Sequence, residues 1–154
     1  MDVVKDNNGA DAEPIEEIIA VDKTIVDNSE CFIEITKITI RDIYECVMEV
    51  EYENRTNSNL MCELQKASVN GIACELGPIS MGGKEIGIEE FRLGSSIFAA
   101  NEVGKYTDIA MTFWVYYMVV NSPVTTIATE SVHIYPYGEE NAVQYIREPQ
   151  QNDR

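Results

Sequence analysis

The chain has 154 residues, of which 45% are hydrophobic and 25% charged, and its formal net charge is −16. This length and balance are typical of a single globular domain that can bury its own core. A strongly acidic chain is repelled by nucleic-acid phosphates and anionic membrane surfaces, so no nucleic-acid partner is expected.

The N-terminal segment differs in composition from the rest of the chain. Residues 1–22 are rich in Asp, Asn, Glu and Ala, so we expect a largely flexible acidic leader before a domain that spans 23–138, with a polar tail over 139–154. Within the leader, 15–19 is a candidate for a helical turn or an edge strand. The leader lacks the basic start and apolar stretch of a secretion signal, and the sequence as written predicts a cytoplasmic protein. The longest apolar run, 109–120, is shorter than the roughly 20 residues of a membrane-spanning helix, so no membrane span is expected.

Alternation of apolar and polar residues begins at Cys31 and predicts β-strands. The apolar phase that starts at Cys31 shifts by one residue at Ile38, which predicts a β-bulge near Lys37. The next strand alternates most regularly and has one wet face. Its predicted inward positions are Tyr44, Cys46, Met48, Val50 and Tyr52, and its outward positions are Glu45, Glu49, Glu51 and Glu53.

Two turns and one helix candidate divide the middle of the chain. The stretch 54–59 (NRTNSN) has the composition of a turn, and Asn70-Gly71 is the strongest hairpin signal. Residues 95–103 begin with a Ser cap candidate and form the best helical segment before Gly104.

Three further strands complete the pattern. A strand over 84–93 is predicted to turn Ile86 and Ile88 inward, with Phe91 as a further inward candidate. The predicted inward positions of the last two strands are Ile109, Met111, Phe113 and Val115, followed by Val132 and Ile134.

Short strands at regular spacing, with turn signals between them and no strand–helix–strand repeats, determine the predicted fold class. The sequence predicts an all-β protein, an immunoglobulin-like antiparallel β-sandwich of seven to eight strands with one short helix.

The order of these pieces also supports a family resemblance over residues 25–135. The turn ENRTNSN, the segment ASVNG, a GGK turn, the helix candidate SSIFAANEV and the strand YTDIAMTFWVYY follow one another. This order resembles a family of uncharacterised bacterial immunoglobulin-like β-sandwich domains, often found in cell-envelope lipoproteins. The resemblance implies no established catalytic residues and a cell-envelope or extracellular location as the alternative to the cytoplasm. The sequence as written shows no lipobox cysteine, so no lipid anchor is expected, and this departure counts against a cell-surface location.

The four cysteines, Cys31, Cys46, Cys62 and Cys74, contain no CxxC pair, so a structural zinc site is poorly supported. We expect small buried thiols in a reduced compartment, while an even count leaves disulfides open. Cys46 and Cys62 are predicted to point inward from neighbouring strands.

The motifs of catalysis and cofactor binding are missing. The stretch 77–84 falls short of a phosphate loop because no hydroxyl residue follows Lys84. His133, the single histidine, is predicted to face outward, and there is no G-x-S-x-G elbow to supply a nucleophile. We therefore expect no enzyme activity and no cofactor. Weak calcium binding is left as an alternative for Glu45, Glu49, Glu51 and Glu53.

One surface is a candidate for recognition. If Phe113 faces inward, Trp114 and Tyr116 face outward, and His133 and Tyr135 do the same on the last strand. These four aromatic side chains would share one face if the two strands pair as a hairpin. Such a face suits a protein partner, and the alternatives are cross-strand stiffening or cover by the leader or tail.

These features predict a non-catalytic interaction or structural module. The expected partner is another protein of unknown identity, which would bind the aromatic face or a sheet edge. The alternative is a domain that binds a small molecule, a carbohydrate or calcium.

Overall fold

The computed structural model describes residues 16–42, 45–93, 105–119 and 124–142. These residues form nine strands and one 3-10 turn, Glu139–Asn141. The strands are β1 (Glu17–Asp27), β2 (Cys31–Asp42), β3 (Glu45–Asn54), β4 (Leu60–Val69), β5 (Ile72–Ala73), β6 (Ile79–Met81), β7 (Ile86–Arg92), β8 (Ile109–Tyr117) and β9 (Thr126–Ile134).

The strands make two antiparallel sheets. Sheet A has the order β1-β2-β3-β7, and sheet B has the order β5-β4-β8-β9 with β6 also paired to β4. The predicted all-β sandwich is confirmed, and the two short strands β5 and β6 raise the count above the predicted seven or eight. The helix candidate 95–103 lies outside the described residues. In the part of the chain that the structure describes, no helix has the length and apolar character needed to cross a bilayer.

The core lies between the sheets and follows the predicted alternation. The inward residues of β3 and β8 are buried, whereas Tyr44 lies outside the described residues. The buried inward set is Cys46, Met48, Val50, Tyr52, Ile109, Met111, Phe113, Val115, Val132 and Ile134.

The predicted bulge is present in β2. The register against β3 shifts between Ile35 and Lys37, so Thr36 is the extra residue. Its hydroxyl donates to the Oε2 of Glu49 at 2.7 Å, which fixes the bulge to the neighbouring strand.

The Asn70-Gly71 hairpin is also confirmed. Asn70 and Gly71 have φ of 51° and 84°, as a two-residue primed turn requires, and they join β4 to β5. The buried Asn70 Oδ1 accepts hydrogen bonds from the backbone N–H groups of Thr107 and Asp108 at 2.9 and 3.0 Å. The turn therefore also positions the chain that enters β8.

The boundary predicted for the acidic leader is wrong for residues 17–22, because β1 begins at Glu17. Ile19 and Val21 of this segment pack against the core. The strand was difficult to identify because its register shifts between Ala20 and Lys23, where Asp22 has a φ of 49°. This irregularity interrupts the period-2 pattern by which a strand is identified in sequence.

The predicted inward orientation of Ile86 and Ile88 is wrong. Their side chains are 75% and 57% exposed, whereas Phe91 is buried. The register pairs Met48 with Phe91 and Tyr52 with Gly87, so the inner face of β7 carries Phe91 and Gly87. The two isoleucines therefore lie on the outer face of sheet A.

The cysteine prediction is partly corrected. Cys46 and Cys62 are both buried, but they lie on β3 and β4 in different sheets and are not on neighbouring strands. All four cysteines are free thiols; Cys31 is also buried and Cys74 is partly exposed. Burial raises the pKa of Cys46 to about 12, and burial together with the charge of Glu30 raises that of Cys31 to about 11.

We expect a thiol reagent at pH 8 to label Cys74 first and the other three slowly, because buried thiols stay protonated and inaccessible. Stopped-flow labelling of the native chain should show one fast thiol at most, and all four should react in denaturant. The Cys74→Ser variant should lose that fast phase. Fast reaction of two or more thiols in the native protein would contradict the register.

A buried asparagine joins the two sheets at one end of the sandwich. The Asn54 side chain is fully buried, and its Nδ2 donates to the carbonyls of Ser58, Met81 and Gly82 at 2.7 to 3.0 Å. Its Oδ1 accepts from the backbone N–H of Thr56 at 2.9 Å. A sheet A residue thus holds the end of β6, which belongs to sheet B.

Replacing Asn54 by Ala should lower the free energy of unfolding by about 3 kcal/mol, since buried carbonyls lose their donor. Urea denaturation measures the effect. The matched control is Asn57→Ala, at an exposed position in the same loop, which should change stability by about 0.5 kcal/mol or less. Similar losses in the two variants would show that the Asn54 network does not stabilise the fold.

Candidate functional site

The aromatic residues predicted as a partner surface occupy the outer face of sheet B. The strands β8 and β9 pair as predicted, with Ala110 opposite His133 and Trp114 opposite Thr129. Trp114 lies against Tyr116, with ring centroids 4.4 Å apart. The His133 ring stacks on Tyr135 at 5.5 Å between centroids.

The four rings form two separate pairs on that face. Trp114 is four residues from the position opposite His133, which puts the pairs about 14 Å apart along the strands. Between them, the hydroxyls of Thr112 and Ser131 are hydrogen bonded at 2.9 Å. The face is therefore interrupted by a polar row, and its role as a partner surface stays a prediction.

The first pair is tied down by hydrogen bonds. Trp114 Nε1 donates to the Thr126 hydroxyl at 2.9 Å, and the Tyr116 hydroxyl donates to Glu63 at 2.6 Å. The hydrogen bond to Glu63, followed by burial, raises the pKa of Tyr116 to about 12. Both rings are partly exposed, an arrangement that suits the alternative of cross-strand stiffening.

The second pair lies beside a buried acid that sequence reasoning missed. His133 Nδ1 is 3.0 Å from the Oδ1 of Asp108, whose side chain is only 7% exposed. His133, Tyr135 and Lys23 line a groove of about 200 Å³ between β1 and β9. That volume is below the roughly 300 Å³ at which small-molecule sites begin. Ser131, two residues before His133 on the same face, bonds to Thr112.

A larger groove lies on the outer face of sheet A. Its volume is about 530 Å³, within the usual range of ligand pockets. Phe32 of β2 and the exposed Ile86 and Ile88 of β7 give it apolar walls, and Glu51 and Glu53 of β3 lie between them. Two strands, β2 and β7, thus present apolar side chains on either side of the glutamates of β3.

Gly87 lies between the two isoleucines and makes room for Tyr52 on the inner face of β7. An added Cβ would lie 2.5 Å from the Tyr52 hydroxyl and 2.6 Å from its Cζ, so only glycine leaves room for that ring. The Tyr52 hydroxyl donates to Glu85 at 3.1 Å, and burial, followed by this hydrogen bond, raises the pKa of Tyr52. The ring therefore fills the space beside Gly87 and lines the groove.

Arg55 contacts Phe32, one of the residues that line the groove. Its guanidinium carbon is 5.8 Å from the centre of the Phe32 ring. The same group bonds to Asp27 at 2.9 Å and Glu53 at 3.2 Å, so its charge is already shared between two carboxylates. A cation that enters the groove would therefore be attracted by the carboxylates more strongly than it is repelled by Arg55.

The outward glutamates proposed for calcium do not converge. Glu45 pairs with Arg41 and Arg92 at 2.9 and 2.6 Å, and Glu49 accepts from Thr36 and lies 3.9 Å from Lys37. Among the described residues, no three acidic, histidine or cysteine side chains are placed to hold a metal ion. The geometry thus gives the calcium alternative no support.

Sequence reasoning missed the groove residues Phe32, Ile86 and Ile88, although one signal was present. On a regular strand Ile86 and Ile88 cannot share a face with Phe91, because side chains alternate with a period of two. If Phe91 faces inward, both isoleucines must therefore face outward. Gly87 between them was a second signal, since a glycine inside a strand often marks a close approach.

We expect Trp114→Ala to cost about 1 kcal/mol, from the lost ring contact with Tyr116. In the native protein, the fluorescence of Trp114, the single tryptophan of the sequence, should be quenched by acrylamide, since the indole is partly exposed. Phe113→Ala, at the buried neighbouring position, is the control and should cost about 3–5 kcal/mol. Blue-shifted emission that resists acrylamide would contradict the outward orientation of Trp114.

Comparison with protein-family models, curated proteins and solved structures finds no match for this chain. The resemblance to bacterial immunoglobulin-like domains therefore stays a prediction. The described side chains, chiefly those that line the apolar groove of sheet A, are therefore the basis for inferring a function.

Proposed function

We propose that this chain is a non-catalytic interaction module that binds a protein partner through the outer face of β7. The observation that carries the proposal is the exposure of Ile86 at 75% and Ile88 at 57%, side by side on one strand face. Burying such side chains in a complex is favourable by about 25 cal/mol for each Å² removed from water. The groove beside them can receive a partner's side chains.

The position of β7 supports the same proposal. It is the last strand in the order of sheet A, so the described residues supply a paired strand on one side only, β3. Exposed apolar residues on an edge strand promote aggregation through edge-to-edge pairing, so they are expected mainly where they serve a function. A binding role explains their presence there better than core packing, from which their orientation excludes them.

The aromatic face is less favoured for this role. Trp114 and Tyr116 are partly exposed and have hydrogen-bond partners on sheet B. Ile86 and Ile88 are exposed, and their apolar surface is thus more accessible than that of these two rings.

The double variant Ile86→Thr/Ile88→Thr tests the proposal. Threonine keeps the β-branched shape that strands favour, so each change should alter stability by about 0.5 kcal/mol or less. Peptides selected from a random library on the native chain should bind this variant about tenfold or more weakly in fluorescence anisotropy, because its apolar contacts are lost.

The matched control is Ile18→Thr. Ile18 is 60% exposed on β1, the opposite edge strand of the same sheet, so the change removes a similar apolar surface elsewhere. Selected peptides should bind this variant as they bind the native chain. A selection that enriches no peptide, or peptides that bind both variants equally, would refute the proposed site.

A further inference from the structure

We infer that the partner segment is an extended peptide that adds as a new strand along the outer edge of β7. This inference rests on the proposed function and names its partner chemistry. The peptide carries apolar residues at every second position, beside Ile86 and Ile88, and lysine or arginine between or beyond them. Backbone direction, side-chain placement and charge each support it.

The backbone of β7 offers hydrogen-bonding groups to its open side. The N–H of Leu93 donates to the carbonyl of Cys46, and the N–H of Asn54 donates to that of Glu85, each at 2.8 Å. These pairs fix which residues of the antiparallel ladder bond to β3, since bonded and non-bonded pairs alternate. The N–H and C=O groups that point away from β3 therefore belong to Ile86, Ile88, Glu90 and Arg92.

The same residues place their side chains on the outer face. A strand added beside β7 would therefore have alternate side chains next to Ile86 and Ile88, the residues that form one wall of the apolar groove. Main-chain hydrogen bonds would give affinity, and contact with the two isoleucines would select apolar residues at alternate positions, as in other cases of strand addition.

The charges on β7 favour basic residues at the remaining positions of the added peptide. Glu89 and Glu90 are exposed on β7, Glu90 lies directly opposite Glu49 of β3, and Arg92 is already paired with Glu45 at 2.6 Å. Like charges placed directly opposite in a sheet repel each other, and a cationic side chain would relieve that repulsion. A second copy of this chain, with a net charge of −16, would add to it. The partner of complementary charge is basic.

The probe is an acetylated and amidated seven-residue peptide in which valine and lysine alternate. It is added to the full-length chain, with amide hydrogen exchange read by NMR. We expect slower exchange at the amides of Ile86, Ile88 and Glu90. The same peptide with glutamate in place of lysine should not bind.

Two N-methylated versions test the strand itself, one methylated at the valines and the other at the lysines. Each removes the donors of one peptide edge only, and a strand uses one edge to pair with β7. One version should therefore bind about tenfold or more weakly, while the other binds like the parent peptide.

The outcomes separate this inference from the proposed function. If the peptide binds through Ile86 and Ile88 without amide protection, and both N-methylated versions bind equally, strand addition is overturned while the interaction site stands. If library-selected peptides bind and the valine–lysine peptide does not, the basic alternating chemistry is overturned. A native dimer that dissociates in the Ile86→Thr/Ile88→Thr variant would place a second copy on this edge and overturn the inference. If no peptide binds at the isoleucines, both proposals fail.

Discussion

The side-chain amide of Asn54 determines where the chain can cross between the sheets. From the last position of β3 it donates to the carbonyls of Met81 and Gly82 at the end of β6, while the backbone N–H of Asn54 donates to the backbone carbonyl of Glu85. The segment between sheet B and sheet A is therefore held at both ends by one buried residue. Because β7 begins at Ile86, directly after this segment, the Asn54 contacts also set the register that turns the isoleucines outward. The candidate groove thus depends on a polar group in the interior.

The tight turn after β6 has the glycine that this crossing requires. A Cβ at Gly83 would lie 2.6 Å from the carbonyl oxygen of Asn57, a backbone atom that cannot move aside cheaply. Lys84 follows with a φ of 64°, and its Nζ donates to the carbonyl of Arg55 at 2.8 Å. Further along, Gly87 leaves room for the Tyr52 ring. The two glycines therefore allow the chain to approach Asn57 closely and the Tyr52 ring to pack against β7.

The sequence predicted local patterns well and non-local placement poorly. The bulge at Thr36 and the Asn70-Gly71 turn were predictable because both are governed by neighbouring residues. The pairing of Cys46 with Cys62 on neighbouring strands was wrong because sheet membership depends on contacts distant in the chain. The apolar groove was missed because an apolar side chain is usually assigned to the core, and Ile86 on an edge strand does not follow that rule. The burial of Asp108 beside His133 likewise depends on the Asn70 contacts, which no local pattern reveals.

The charges on β7 oppose the pairing of this edge strand with a second copy of the chain. Glu89 shares the inner face with Gly87 and Phe91, and an inward-pointing charge at a sheet edge is a known obstacle to pairing with another sheet. A second acidic chain would bring its own Glu89 and Glu90 to the same edge, and desolvating these like charges would oppose the pairing. A basic strand meets no such repulsion and gains ion pairs instead. Specificity is a difference between two affinities, so the residues that exclude self-association are the ones that favour a basic partner.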